Sequence, residues 1–397
     1  MSTIRDTDSS RIYTLDVIRG VAVMGILAMN IVGFALPEAA QFDPRSIGMD
    51  SLADRLSWLV DFLFLEGRMR GLFSFVFGAS MLLVIERADA GGQDSARIHF
   101  ARMVWLLLFG LLHFYLIWWG DILAVYAMVG MIAWFFAYRS TTGLLQWGIL
   151  LVFAQAAIEV QGLFADHLFE EPAYPSSPLA GSIDLYRGGF LEIAAFRIRE
   201  QLFYPFLGLF TYGWETLGYM LLGMAALKSG ILDGKCPRDL YVRIAGFGLG
   251  IGLPVYALLA WAQLSANFSE ASIRTWNTAA TVPVRPIMIL GYAALIILLC
   301  RQHGPFTERI AAAGRAAFTN YLGTSLAMTF LFYGWGLGWF GTMNRAALWL
   351  VVLPMWALML LWSKPWLDRF RYGPFEWLWR SLARWEVQPM RKTEKAA

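Results

Sequence analysis

The sequence predicts an all-α fold, a polytopic bundle of about ten membrane-spanning helices with both termini on the cytoplasmic side. Three observations carry this. Ten apolar segments run through the chain, each close to the ~20 residues needed to cross a bilayer. Only 15% of the 397 residues are charged, while 58% are hydrophobic and 16% aromatic; a soluble domain carries roughly 25% charge. The basic residues gather between alternate segments, as the positive-inside rule requires.

The segments lie near 17–36, 68–87, 103–119, 121–138, 143–163, 202–227, 243–265, 283–300, 316–339 and 345–363. Residues 21–36 read as a retained first span rather than a cleaved signal peptide, because many further spans follow. Gly120 alone separates the third and fourth segments, which predicts a tight helical hairpin. Arg87, Arg97, Arg102, Arg139, Lys228, Lys235 and the tail 364–397 fall on the inner side. Residues 37–57 and 164–201 then become long outer, periplasmic segments, and 1–397 reads as one integral membrane domain.

The run 56–86 would be about 46 Å long as one helix at ~1.5 Å per residue, too long for a ~30 Å hydrocarbon core. Residues 56–65, with Asp61, are expected as a short or re-entrant helix, an eleventh element. Glu66-Gly67-Arg68-Met69-Arg70-Gly71 is expected as a basic turn at membrane depth, lining a cavity. The tail is basic and aromatic, which suits the inner headgroup region.

Several function classes fall away. The net charge of +3 comes from scattered basic residues rather than a stripe, so no nucleic acid is expected. Cys236 and Cys300 give no disulfide framework. The four histidines are far apart, and no metal site is expected.

The polar residues within spans are the functional candidates, because ionisable groups there are costly unless paired or used. Arg19 and Asn30 are eleven residues apart, about 1100° at ~100° per residue, so they share one helix face with Val23 and Leu27 between them. Asp16 and Arg19 are placed to pair at i,i+3; with Arg11 they form either an electrostatic anchor or a binding edge for an anionic cytosolic group. His113 and Asp121 face each other across the expected hairpin. They are either an acid/base pair or a structural tie.

Arg68 and Arg70 are expected on the same side of the membrane as His113, Asp121 and Asn30. That set makes a polar pocket, or else a salt-bridge network with Asp61 or Glu66. Glu215, near the middle of the sixth segment, is expected to face the same cavity. Gly78-Ala79-Ser80 reads as a close-packing surface, and Asn320-Tyr321 as interhelical hydrogen bonding.

Five blocks recur in order: Arg11-x4-Asp16-x2-Arg19-Gly20 with Asn30; Gly71-Leu-Phe-Ser-Phe-Val-Phe-Gly-Ala-Ser80; His113-x6-Gly120-Asp121-Ile-Leu-x2-Tyr126; Thr319-Asn320-Tyr321-Leu322; and Tyr372-Gly373-Pro374-Phe375-Glu376-Trp377-Leu378-Trp379-Arg380. In this combination the chain resembles the YeiB family of bacterial inner-membrane proteins, whose domain has no assigned function. That family is grouped with transmembrane acyltransferases, including the acyltransferase-3 proteins and heparan-α-glucosaminide N-acetyltransferase, through the Arg…Leu-Asp-x2-Arg-Gly start of the first span. The resemblance implies a multi-pass inner-membrane protein that passes an acyl group from a cytosolic donor, such as acetyl-CoA, to an outer acceptor.

One departure matters. Asn30 stands where acyltransferase-3 proteins carry a histidine, and an amide is no general base. His113 would take that role, oriented by Asp121, with Arg68 and Arg70 stabilising negative charge. Asn30, Glu66, Glu215 and Tyr126 would contact substrate, and Arg11, Asp16 and Arg19 would edge the donor mouth. The expected partners are membrane lipids and a lipid or small-molecule acceptor, with acyl-CoA as co-substrate and no permanently bound cofactor. Two other classes fit the same residues: a transporter or flippase of an anionic solute or lipid, with His113, Asp121 and Glu215 as a proton relay, and a non-catalytic scaffold.

Overall fold

The computed structural model describes residues 12–165 and 179–392; Arg11 lies outside them. The described chain is helical throughout, with one isolated β-bridge between Phe370 and Arg391. α1 (Tyr13–Ala35) is followed by α2 (Leu52–Val60), which widens into a π-helical stretch over Asp61–Leu65, and by α3 (Arg68–Ala90). α4 (Ser95–Leu112) ends in a second π-helical stretch, His113–Ile117, before α5 (Leu123–Ala133) and α6 (Thr141–Ala165). Then come α7 (Phe190–Glu200), α8 (Tyr204–Thr211), α9 (Gly213–Lys228) and α10 (Arg238–Ser265). The chain closes with α11 (Arg285–Cys300), α12 (Pro305–Arg315), α13 (Ala317–Phe332), α14 (Trp349–Arg369) and α15 (Pro374–Arg384).

Among the described residues, six helical stretches are long and apolar enough to cross a membrane. They are α1, Leu52–Ala90, Ser95–Ile117, Thr141–Leu163, α10 and α14; Leu123–Phe136 and α11 are apolar but shorter. Phe153, Phe247, Trp261, Leu350 and Leu361 lie exposed on α6, α10 and α14. So much exposed apolar surface marks a face built for a non-aqueous environment.

α1 is the axis of the bundle, apolar on most of its faces and buried along almost its whole length. Its tightest neighbour is α12: a Cβ on Gly20 would strike the Ile310 carbonyl, and one on Gly314 the Asp16 carbonyl. The Gly78-Ala79-Ser80 surface works in the same way. Gly78 rests on the backbone of Met220 in α9, and Gly223 of α9 rests on the backbone of Phe75. Small residues let these backbones touch.

The structure corrects the sequence reading in three places. The apolar run 202–227 is two helices broken at Tyr212, so Glu215 sits in the first turn of α9 and not in the middle of a span. A carboxylate is favoured there by the N-terminal dipole. Arg68–Gly71 is not a turn but the first turn of α3; the break lies at Glu66–Gly67, where Gly67 has φ +71°. Residues 364–369 complete α14 rather than starting a tail, and α15, within the basic aromatic tail, docks on the bundle.

α15 is held by Glu376. One of its carboxylate oxygens accepts from the Phe318 and Thr319 N–H groups at 2.7 and 3.1 Å, the other from the Thr319 hydroxyl at 2.5 Å. A tail residue thereby supplies the cap that α13 lacks in its own sequence. Glu376→Ala is expected to cost about 1–3 kcal/mol by orphaning these donors. Hydrogen exchange should show faster exchange confined to α15 and the start of α13; protection equal to wild type would contradict the capping role.

Candidate functional site

The α4–α5 hairpin forms because Gly110 lets the two helices meet: a Cβ there would strike the Ala124 amide. Across its turn His113 Nδ1 lies 2.9 Å from Asp121 Oδ1, both side chains fully enclosed. Asp121 Oδ2 accepts from the Ala124 N–H at 2.8 Å, which fixes the carboxylate at the start of α5. A carboxylate oxygen accepts the hydrogen bond, so the ring proton sits on Nδ1 and, in the neutral imidazole, Nε2 carries the lone pair. Nε2 is buried and has no hydrogen-bond partner. His113 opens a π-helical stretch, a backbone form frequent at functional sites.

The His113 ring packs against Tyr321 and Trp118, with centroids 5.2 and 6.4 Å away. Both of those residues line a small cavity together with Val23, Ile26, Leu27, Asn30, Phe34, Thr324 and Ser325. The α1 face read from Arg19 to Asn30 thus forms one wall, with Val23, Leu27 and Asn30 on it, and α13 forms the other. The cavity is about 10 Å³, room for about one water. At the far end of the same face, Arg19 Nη1 pairs with Asp16 Oδ1 at 3.1 Å and Nη2 donates to Ser80 Oγ at 2.5 Å.

The two arginines of α3 part company. Arg70 pairs with Glu215, which also receives Arg285 Nη1 at 3.1 Å on each oxygen and the Tyr219 hydroxyl at 3.1 Å. Its guanidinium stacks 4.7 Å over Tyr212. Arg68 turns the other way, onto the Phe62 carbonyl and the ring of Tyr256 at 3.9 Å. The expectation of both arginines beside His113 is therefore corrected: residues two apart on a helix diverge by about 200°. Glu66 closes the π-helical stretch, its N–H donating to the Asp61 carbonyl at 2.9 Å. The Tyr126 hydroxyl donates to the Arg70 carbonyl at 2.9 Å and lies 2.7 Å from Ser74 Oγ. It supports the α3 backbone rather than the guanidinium.

Glu215 accordingly faces the arginines, not the Asn30 cavity. Tyr212, at the break between α8 and α9, lies under the Arg70 guanidinium and accepts from the Thr216 hydroxyl at its carbonyl. Sequence reasoning missed Arg285, Tyr212, Tyr219 and the cavity wall Thr324–Ser325. Arg285 opens an apolar run and reads as an outer-segment charge until α11 is seen to start with it. Arg197 was missed too: fully buried, it donates to the Phe114 carbonyl of the π-helical stretch and to the Tyr333 hydroxyl. Asn320 does bond between helices, donating to Ala313 O and Ser363 Oγ at 3.0 and 3.2 Å and accepting from Trp362 at 2.8 Å.

A family model described as "Protein of unknown function (DUF418)" matches residues 226–386. The chain is 34% identical to "Uncharacterized protein YeiB" of Escherichia coli K12 over 394 residues, 94% of this chain and 96% of that protein. The chain belongs to the YeiB family. It is also 32% identical to "Uncharacterized protein YxaH" of Bacillus subtilis 168, over the full length of both chains. A protein of Bacillus acidopullulyticus matches at 27% over 94% of this chain. No solved structure matches. The matched region holds Arg285, Tyr321 and Glu376; His113 and Asp121 precede it, within the part that aligns with the full-length YeiB relatives.

Proposed function

We propose that this YeiB-family chain is a ten-span protein of the bacterial inner membrane, both termini cytoplasmic, that transfers an acyl group from a cytosolic acyl-CoA to a lipid or small-molecule acceptor. The observation that carries the reading is the enclosed His113–Asp121 pair with Nε2 unpartnered. Asp121 holds the Nδ1–H tautomer, and Nε2 takes the proton of an acceptor hydroxyl as its oxygen attacks the thioester carbonyl. The carbon–sulfur bond then breaks, and the imidazolium returns the proton to the departing CoA sulfur. Asn30 and Tyr321 stand on opposite walls of the adjoining cavity, where they can orient the acceptor. A water-sized cavity admits substrate only when α1 and α13 part, so the described form is a closed one.

The ten crossings combine the six long helices with the shorter α5 and α11, the α8–α9 pair and the α12–α13 pair. Arg11, Asp16 and Arg19 edge the donor side in this reading; Arg70 and Glu215 tie α3 to α9. A proton relay through Glu215 is disfavoured, because two arginines and Tyr219 hold its carboxylate.

The test is release of free CoA thiol from acetyl-CoA and longer acyl-CoAs by the protein in vesicles of bacterial lipid. Wild type should release thiol, and His113→Ala should slow it by at least ~10²-fold while the thermal midpoint stays near wild type. No thiol release with any acyl-CoA, or release unaffected by His113→Ala, would sink the acyltransferase reading.

A further inference from the structure

The end of the bundle that carries α15 collects arginines to which, among the described residues, no carboxylate is ion-paired. Arg102 of α4 stacks its guanidinium on Trp379 of α15, 4.0 Å from the ring centroid, and Trp379 Nε1 donates to the Arg102 carbonyl at 2.8 Å. Arg380 lies over Tyr372 at 4.7 Å, and Arg384 follows one turn later on the same face. The charges of Arg380 and Arg384 act on Arg102, and those of Arg384 and Arg19 act on Arg380.

Two carboxylates of this end of the bundle are engaged elsewhere. Asp16 holds Arg19, and Glu376 spends both oxygens at the start of α13. Among the described residues no carboxylate is ion-paired with Arg102, Arg380 or Arg384. Burial, joined by the like charges of Arg384 and Arg19, pulls Arg380 below the ordinary arginine range, with Tyr372 and Glu376 acting the other way. Arg102 and Arg380 are half-buried, while Arg384 is exposed and donates to Gln388 Oε1 at 3.3 Å; an anion among the three would offset the repulsion of the two half-buried cations.

We propose that Arg102, Arg380 and Arg384 form a binding site for the phosphate of a phosphate ester, clamped between α4 and α15. Guanidinium forks match phosphate oxygens two at a time, and three of them around one group suit a dianion or a phosphodiester. Trp105 and Trp385 pack 6.0 Å apart at the edge of this patch, and indoles of that kind sit at headgroup level. The ligand is either an anionic lipid headgroup or a soluble phosphate ester; the chemistry of recognition is shared.

The experiment follows thermal unfolding of the full-length protein in neutral detergent with phosphatidylglycerol, phosphatidylcholine or adenosine 3′,5′-bisphosphate added. Phosphatidylglycerol or the bisphosphate should raise the midpoint, phosphatidylcholine should not, and the rise should shrink as salt is added. Stabilisation by the lipid alone identifies a headgroup site, and by the bisphosphate alone a soluble ligand. The double variant Arg380→Gln/Arg384→Gln should keep the unliganded midpoint and weaken binding at least about tenfold. Lysine at both positions should recover part of the loss. His113→Ala should bind both probes as wild type does, so this proposal stands or falls separately from acyl transfer. No stabilisation by either anionic probe, or equal affinity in the glutamine variant, would overturn it.

Discussion

Glu215→Ala is expected to destabilise the protein by about 3–5 kcal/mol, the cost of removing one partner from a buried ion cluster. Glu215 is 1% exposed and is the carboxylate on which both Arg70 and Arg285 converge. Without it two guanidiniums face each other in a medium that solvates neither. Glu215→Gln keeps acceptor oxygen for Arg285 and Tyr219 and should cost less. The triple change Arg70→Met, Glu215→Leu, Arg285→Met should recover most of the loss, because it removes the charges together with their desolvation penalty. Unfolding in detergent measures all three. A Glu215→Ala midpoint equal to wild type would show that the cluster is not the buried charge network described here.

Gly223→Val is expected to cost about 3 kcal/mol, the upper end for overpacking, because the atom it meets cannot move aside. A Cβ at Gly223 falls on the Phe75 carbonyl of α3, as one at Gly78 falls on the Met220 carbonyl of α9. Both contacts are backbone to backbone, so no rotamer change relieves them; α3 and α9 must separate. Separation would also pull Arg70 from Glu215, since these residues sit one on each helix. Gly250→Ala on α10 is the control, because nothing lies within 4 Å of a Cβ there. It should be neutral or stabilising by up to about 1 kcal/mol through helix propensity. Equal melting points for the two variants would contradict the close approach of α3 and α9.

Much of the cavity wall was legible because it lies on one element. The Arg19–Asn30 spacing fixes a face of α1 wherever that helix packs, and Val23, Leu27 and Asn30 do line one cavity. His113 and Asp121 were legible for a related reason. Eight residues with a glycine in the turn leave a hairpin little freedom to place them apart. Asp16 and Arg19 pair through helical spacing alone.

The residues that were misread depend on where helices stop. Taking Arg68–Gly71 as a turn put both arginines in one pocket, whereas a helix starting at Arg68 sends them to opposite sides. Glu215 looked like a charge in mid-span because an apolar run does not announce the break at Tyr212. Its second partner, Arg285, is 70 residues away, a separation at which no local pattern carries information.

Composition and periodicity were enough for an all-helical, apolar chain, and motif order was enough for its family, because both follow from local chemistry along one strand of sequence. Which arginine meets which acid, which helix is capped by a glutamate from the tail, and that His113 lies beside the wall of α1 follow from packing. They rest on close approaches such as Gly20 to Ile310 and Gly223 to Phe75, where the absence of a side chain sets the distance between helices. Such contacts are made between residues remote in the chain, so their partners are fixed only when the bundle closes.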